Sequence, residues 1–409
     1  MDFQYHYTDE QERFRQEVRS WLQANIPEEM KDPVETDDFT PEMYQFWRQK
    51  HKEMGAKGWM YPTYPKEYGG GGLSVSHAIV IQEEFRRHAV KGPFSNGLLI
   101  PSLFVWATEE QKQRWLVPFL KGEQVFWQKF TEPKSGSDLA SYQSKAVRDG
   151  DDWILNGSNA FVSAHNSPVP DWLWGPMQTD PNAPRHRNLA FFMIPGSAPG
   201  VEVVPQNLVH GHEQHMVFLT DVRIPGDHMI GGDHDGWQVA NTTLEQEHGG
   251  RGSAGYSDEV VDNLVDYMQA KMRDGNSPGG NPVVQQVAVQ AYIEAHLDSL
   301  FGSRTYWMYT NRMEISWEGA AGSLYGREYT MRTMGKVRDV MGMDALIGSH
   351  DPLAPYGGMQ EFEQRARFIR QHGAGSLNIN KVVVARRIGI SRTRERAAPT
   401  PATATSFAA

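Results

Sequence analysis

The chain has 409 residues, with 50 acidic against 40 basic side chains, a net charge of −10 and no cysteine. Its length suits two or three domains with a substantial core, and the missing cysteines exclude disulfides, thiolate metal sites, iron–sulfur ligation and a cysteine nucleophile. An acidic balance with no long run of either sign argues against nucleic acid or an anionic membrane as the main partner.

The start, MDFQYHYTDEQERF, lacks a basic region followed by an apolar core, and no apolar run reaches the ~18 residues of a membrane span, so the expected location is cytoplasmic. From Asp9, the phase Phe14, Val18, Trp21, Leu22 predicts an amphipathic helix, and similar patterns continue to about Gly122. Within them YPKEYGGGGLS lacks the Gly-Lys-Ser/Thr ending of a phosphate-binding P-loop and reads as a turn between helices.

From Val125 the pattern changes to short alternating or β-branched runs split by turn signals: SKAVR, WILNG, NLAFFMIP, VEVVP and VFLTDVRIP. These predict antiparallel β structure. At its head WQKFTEPKSGSDLAS, Trp127 to Ser141, offers hydroxyls and free N–H groups on a Pro/Gly/Ser loop, which can meet an anionic or heteroaromatic ligand. A capped helix start or a simple turn would explain SGSD alone. Farther on, VHGHEQH carries His210, His212 and His215. The three-residue spacing of HEQH does not place two imidazoles on one helical face, so a polar loop is favoured over a metal cluster.

After Gly236 long helical segments return, including VVQQVAVQAYIEAHLDSLF. The first of them contains TTLEQEHGGRGSAG, with Glu245, Glu247, His248 and two glycines. Glu247 and Arg251 could form a solvated i,i+4 pair; a catalytic acid is the other reading. The tail from Ser391, rich in Pro, Ala and Thr, is expected to be disordered.

Taken together these motifs resemble the acyl-CoA dehydrogenase family. Its T/S-E-P-x-x-G-S-D loop corresponds to Thr131–Asp138, and AVRDGDDWILNG, Phe161–Ser163, DVRIP and GGDHDGW follow in the family's order. The upstream TEEQKQRWLVPFLKGE and YGGGGLS fit as well, and the likeness runs to about residue 390, with less specificity beyond Met268. The resemblance implies an α+β multidomain fold: an N-terminal helical domain (1–124), a central antiparallel β-barrel-like domain (125–236) and a C-terminal four-helix-bundle domain (237–390), then the tail (391–409).

It further implies FAD between the last two domains. Phe130 and Thr131 would bond the flavin pyrimidine end, Phe161 would pack on the isoalloxazine, and Ser163 would bond near N5 or the pyrophosphate. Gly136 and Ser137 would line the route of the FAD phosphates and the acyl-CoA, and Ser376 and Asn378 would contribute further cofactor contacts. Ser137, Leu244 and Ala374 would border the substrate. The implied reaction removes an α-proton from an acyl-CoA thioester while a hydride passes from the β-carbon to flavin N5.

Many relatives keep the base in a C-terminal Y-E-G-T segment. Here RQHGAGSLNINKVVVARR places Gly373 and Ala374 at the tyrosine and glutamate positions. A second branch, with isovaleryl-CoA and long-chain acyl-CoA dehydrogenases, carries the base on the helix after G-x-x-V, where GWQVANTTLEQE puts Glu247. Glu247 shares a face with Val239, Thr243 and Leu244, whereas Glu245 lies about 200° around the helix.

The R-x-x-F-G and Q-x-x-G-G motifs that hold a neighbour's FAD are replaced by KMRDGNSPGGNPVV and DVMGM, with Asp339 and Met343 at critical places. A homo-oligomer, dimer or tetramer, and a hetero-oligomer with a second dehydrogenase-like subunit both accommodate this. Gly373 and Ala374 leave room for branched or ring-bearing acyl groups. The expected electron acceptor is an electron-transferring flavoprotein. The competing readings are a flavin oxidase or desulfinase of the same superfamily and a non-catalytic subunit.

Overall fold

The computed structural model describes residues 7–163, 168–249, 258–270, 277–311, 313–369, 371, 373 and 375–391. Helices come first. In α1 (Asp9–Asn25) Thr8 and Gln11 form a reciprocal capping box, and Val18 and Leu22 bury the predicted stripe. Thr40 caps α2 (Pro41–Ala56), which has proline in its first turn, and Ser74 caps α3 (Val75–Arg87). The glycine-rich stretch between α2 and α3 is a turn, as expected. Gly71 approaches Gly58 so closely that a Cβ on it would stand 2.3 Å from the Gly58 carbonyl oxygen. Beyond α4 (Leu99–Trp106), the short α5 (Glu109–Gln111) and α6 (Val117–Leu120) flank a π-helical stretch, Lys112–Leu116.

The middle of the chain is one eight-stranded sheet. Its strands are β1 (Phe126–Gln128), β2 (Lys145–Asp149), β3 (Asp152–Ser163), β4 (Trp172–Gln178), β5 (Leu189–Pro195), β6 (Val201–Leu208), β7 (Gly211–Pro225) and β8 (Met229–Ile230). They run in the order β6-β7-β3-β2-β4-β5-β8, with β1 added beside β4. Pairing is antiparallel except β1 with β4 and a single contact of β2 with β4, both parallel. Strand β4, WLWGPMQ, is absent from the runs that sequence patterning picks out. Its five central residues are all buried, so it shows no alternation, and Gly175 and Pro176 read as breakers.

The HGHEQH segment departs from expectation. It is a hairpin turn followed by the start of β7, and His210 and His215 are buried, His215 against Trp127 at 4.9 Å. It is therefore not a polar loop, and the His212 side chain lies outside the described residues. Among the described residues no group of three or more His, Asp or Glu side chains could hold a metal ion, and no helix is long and apolar enough to cross a membrane.

The remaining helices are α7 (Gly236–Gly249), α8 (Glu259–Gln269), α9 (Pro282–Thr310), α10 (Glu318–Met341), α11 (Met359–Ile369) and α12 (Leu377–Arg387). One buried cluster joins α1 and α2 to the sheet through Leu22, Trp47, Trp153 and Leu155. A second joins α4, the sheet and α7 through Leu103, Trp174, Phe191 and Val239. A third lies within α8, α9 and α10, around Leu264, Ala291, Tyr329 and Val337. Asp258 caps α8 and also accepts from Tyr329 (2.6 Å) and Arg367 (2.9 Å), which ties α8, α10 and α11 together.

Candidate active site

The T-E-P loop is built around its own glutamate. Both oxygens of the Glu132 carboxylate accept backbone N–H groups, from Ser144 and Gln143, each at 2.7 Å. Glu132 and Ser135 exchange backbone hydrogen bonds, and Ser135 Oγ donates to the Asp138 carbonyl at 2.8 Å. The acid in this motif therefore folds the loop, and its lone pairs are used internally. Outside this knot Gly136 and Ser137 are exposed, and a Cβ placed on Gly136 would meet nothing within 4 Å.

Phe130 lies beneath the loop at 8% exposure, with its ring edge-on to Trp174 at 5.4 Å and Phe191 at 6.3 Å. Thr131 is half-buried, and its carbonyl accepts from Ala160 N (2.9 Å) and Asn159 Nδ2 (3.2 Å). Those two bonds bring Phe161 next to Thr131. Between Asn159 and Val162 the β3–β7 register slips, and Phe161 takes a left-handed φ of 56° with its ring 54% exposed.

A bulky residue in that region is strained by about 1–3 kcal/mol and needs surroundings that impose it. The β-bulge and a hydrogen bond from Phe161 N to Gln206 Oε1 at 2.9 Å do so. The result is an aromatic ring presented outward beside a loop whose Gly136 and Ser137 are exposed, a combination that fits a flat heteroaromatic group with carbonyls at one edge. Ser163 sits at the end of β3, and its side chain lies outside the described residues.

Helix α7 packs on β4 and β5, the strands whose Trp174 and Phe191 hold the Phe130 ring. A Cβ on Gly236 would stand 2.5 Å from the Ala190 carbonyl carbon, so α7 starts in backbone contact with β5. Trp237 stacks on His186 at 4.5 Å, and α4 holds the next turns through Ser102 and through Trp106, whose Nε1 donates to Thr242 Oγ1 at 3.0 Å. Val239 and Thr243 are fully buried, and Leu244 packs against the cluster that contains Phe130. Glu245 and Glu247 lie in the last turns of α7, but their side chains fall outside the described residues.

Phe130, Thr131 and Phe161 thus belong to one neighbourhood, and Leu244 packs on the buried cluster that includes Phe130. Ser376 and Asn378 begin α12, which packs on α10, and Ser376 accepts from Ile379 N as its helix cap. No hydrogen bond among the described residues joins them to the Thr131 loop. Ala374 lies outside the described residues.

Sequence reasoning missed what stands behind the loop. Lys129 is fully buried; its Nζ donates to Tyr142 Oη and to the Pro176 carbonyl, each at 3.3 Å. Tyr142 Oη donates to the Lys129 carbonyl at 2.7 Å and accepts from Asn159 Nδ2 at 2.7 Å. The available signal was a lysine inside the otherwise strand-like run VFWQKFTEP.

The chain matches known proteins along most of its length. Residues 8–123, 128–222 and 234–389 match the N-terminal, middle and C-terminal domains of acyl-CoA dehydrogenases. It is 31% identical over 279 residues to the acyl-CoA dehydrogenase FadE29 of Mycobacterium tuberculosis (68% of each chain). To FadE26 of the same organism it is 24% identical over 390 residues (92% of this chain, 96% of that one). Among solved structures it resembles the Tcur3481-Tcur3483 steroid ACAD, with a TM-score of 0.79, 27% identity and coverage of 97% and 100%. The chain belongs to the acyl-CoA dehydrogenase family, a flavin-dependent family, and is an oxidoreductase of that type.

Proposed function

We propose that the protein binds FAD against Phe130, Thr131 and Phe161 and dehydrogenates an acyl-CoA thioester between its α and β carbons. The observation that carries this reading is the strained, outward-facing Phe161 ring beside Thr131. A sheet has no packing reason to hold an exposed aromatic in left-handed backbone, whereas a stacking partner would offset the strain. FAD, when bound, supplies the acceptor for the β-hydride. Gly136 and Ser137 border the phosphate path, and Ser163, Ser376 and Asn378 complete the cofactor contacts.

Glu247 is the base that takes the α-proton. Its helical register follows Val239 and Thr243 at four-residue steps, and both of those face the core between α4 and the sheet. No carboxylate is present at Gly373 or Ala374 to compete for the role. Ser137, Leu244 and Ala374 border the acyl chain, and small residues at 373 and 374 suit a branched or ring-bearing group. The likeness to a steroid ACAD supports the bulky end of that range. That relative carries two names, which supports pairing with a second dehydrogenase-like subunit over a homo-oligomer. Electrons leave to an electron-transferring flavoprotein.

The test is single-turnover flavin bleaching by a panel of acyl-CoAs, from short linear to steroid-like, with the chain alone and with candidate second subunits. Glu247→Gln keeps shape and removes basicity, so bleaching should slow by about 10² to 10⁴ while FAD content stays. Bleaching at the wild-type rate would return Glu247 to a surface pair. Released cofactor identified as FMN, or peroxide formed as fast as substrate is consumed, would replace the dehydrogenase reading with another flavin chemistry.

A further inference from the structure

Among the described residues Lys129 is a buried cation with two hydrogen-bond acceptors for three protons and no carboxylate in contact. Such a group costs several kcal/mol to bury, and a leucine would fill the same space without that cost. The surroundings are nonetheless built for it. A Cβ on Gly175 would stand 2.5 Å from the Lys129 carbonyl oxygen and 3.2 Å from its Cγ, so β4 passes close over the lysine because it carries glycine there. Lys129 N also donates to the Trp174 carbonyl at 2.9 Å.

The hydroxyl of Tyr142 is used to capacity: one proton donated to the Lys129 carbonyl, two lone pairs accepting from Lys129 Nζ and Asn159 Nδ2. Asn159 in turn donates to the Thr131 carbonyl. Lysine, tyrosine and asparagine therefore form one buried network whose outer end is the Phe130–Thr131 backbone.

We propose that Lys129 is a positioning residue that fixes the Phe130–Thr131 segment from behind and, as a buried positive charge, favours the reduced over the oxidised cofactor. The proposal rests on the flavin reading above. A flavin that gains a hydride without a further proton gains one negative charge, and a fixed cation in a dry interior stabilises that charge more than solvent would. Facing the ammonium are Tyr142 from the segment after the loop, the Pro176 carbonyl from β4 and, without contact, Glu132 from the loop itself. Burial pushes the Lys129 ammonium down to about 7, with Glu132 opposing, so its charge changes within an accessible pH range.

Spectroelectrochemical titration of the flavin-loaded protein tests this. In Lys129→Met the preference for reduced over oxidised flavin at pH 6 should fall at least about tenfold, which is about 30 mV in a two-electron midpoint. The difference should shrink as pH rises to 9. Tyr142→Phe keeps the ammonium and removes one anchor, so flavin retention should fall with the midpoint near wild type. A Lys129→Met protein that loses flavin affinity but keeps the wild-type midpoint leaves a structural role only and overturns the proposal.

Should that variant fail to fold, Lys129→Gln, which keeps a hydrogen-bond donor without the charge, decides in its place: the same fall at pH 6 is expected, and an unmoved midpoint refutes the proposal. A chain that takes up no flavin with any candidate subunit removes the functional reading and this inference with it. A flavin-loaded chain with an unmoved midpoint removes this inference alone.

Discussion

Ser102 Oγ on α4 lies 2.8 Å from Thr243 Oγ1 on α7 and 3.0 Å from the Val239 carbonyl, all three residues being fully buried. If Ser102 gives its one proton to the carbonyl, Thr243 must donate to Ser102. The N-terminal helices thereby set the rotation of α7, and with it the register of Glu247.

Thr243→Val keeps the shape and removes the donor. It should cost about 1 kcal/mol of stability, read by urea denaturation, and in a double-mutant cycle with Ser102→Ala the coupling should be about 0.5–1 kcal/mol. Strict additivity of the two changes would mean that the hydroxyls do not interact in solution.

Phe161→Gly and Phe161→Ala separate strain from cofactor packing. Glycine accepts φ of 56° freely and alanine does not. The apoprotein of the glycine variant should therefore be more stable than that of the alanine variant by about 1 kcal/mol. Both should release flavin more readily, with affinity down about fivefold or more for about 1 kcal/mol of lost ring packing. Unchanged flavin affinity in both variants would remove Phe161 from the cofactor site.

Two further carboxylate changes sharpen the assignment of the base. Glu245→Gln should bleach at nearly the wild-type rate, since it lies about 200° from Glu247 around the helix. Adding Ala374→Glu to Glu247→Gln should restore part of the lost rate, limited by errors of position of about an ångström. Rapid-mixing absorbance of the flavin measures both, and a large defect in Glu245→Gln would exchange the two roles.

Asp298 on α9 has a folded-state acidity that predicts a pH effect on stability. Burial, reinforced by nearby Asp258 and opposed by Arg367, pushes its carboxyl up to about 6 from an ordinary 3.8. An acid with a raised folded pKa binds its proton more tightly in the fold, so its contribution is complete below pH 4 and is lost as pH rises to 6. Asp298→Asn should therefore be more stable than wild type by about 2 kcal/mol at pH 8, with the advantage largely gone at pH 4. Urea denaturation at the two values measures it, and an equal difference at both would show that Asp298 is not perturbed.

Local chemistry accounts for what was legible in the chain. The 3.6-residue stripe of α1, the alternating strands and the T-E-P loop all depend on neighbours within a few residues, and each is found where patterning expects it. The buried strand β4 was not legible, because a strand covered on both faces has no period and its Gly175 is explained only by the backbone of Lys129, far off in sequence. The burial of His210 and His215 has the same origin: Trp127 comes from another strand.

The site divides along the same line. The family resemblance, carried by short motifs, implied Thr131, Gly136 and Phe161 as cofactor contacts. That Phe161 is strained, that Glu132 serves the loop fold, and that Lys129, Tyr142 and Asn159 brace the loop from behind follow from contacts between β1, β3 and β4. Sequence alone determined the family's chemistry and the order of helices, sheet and helices, because those are written in short-range patterns. Only the tertiary structure decided which charges are buried and which rings are exposed, because burial is a property of what the rest of the chain brings alongside.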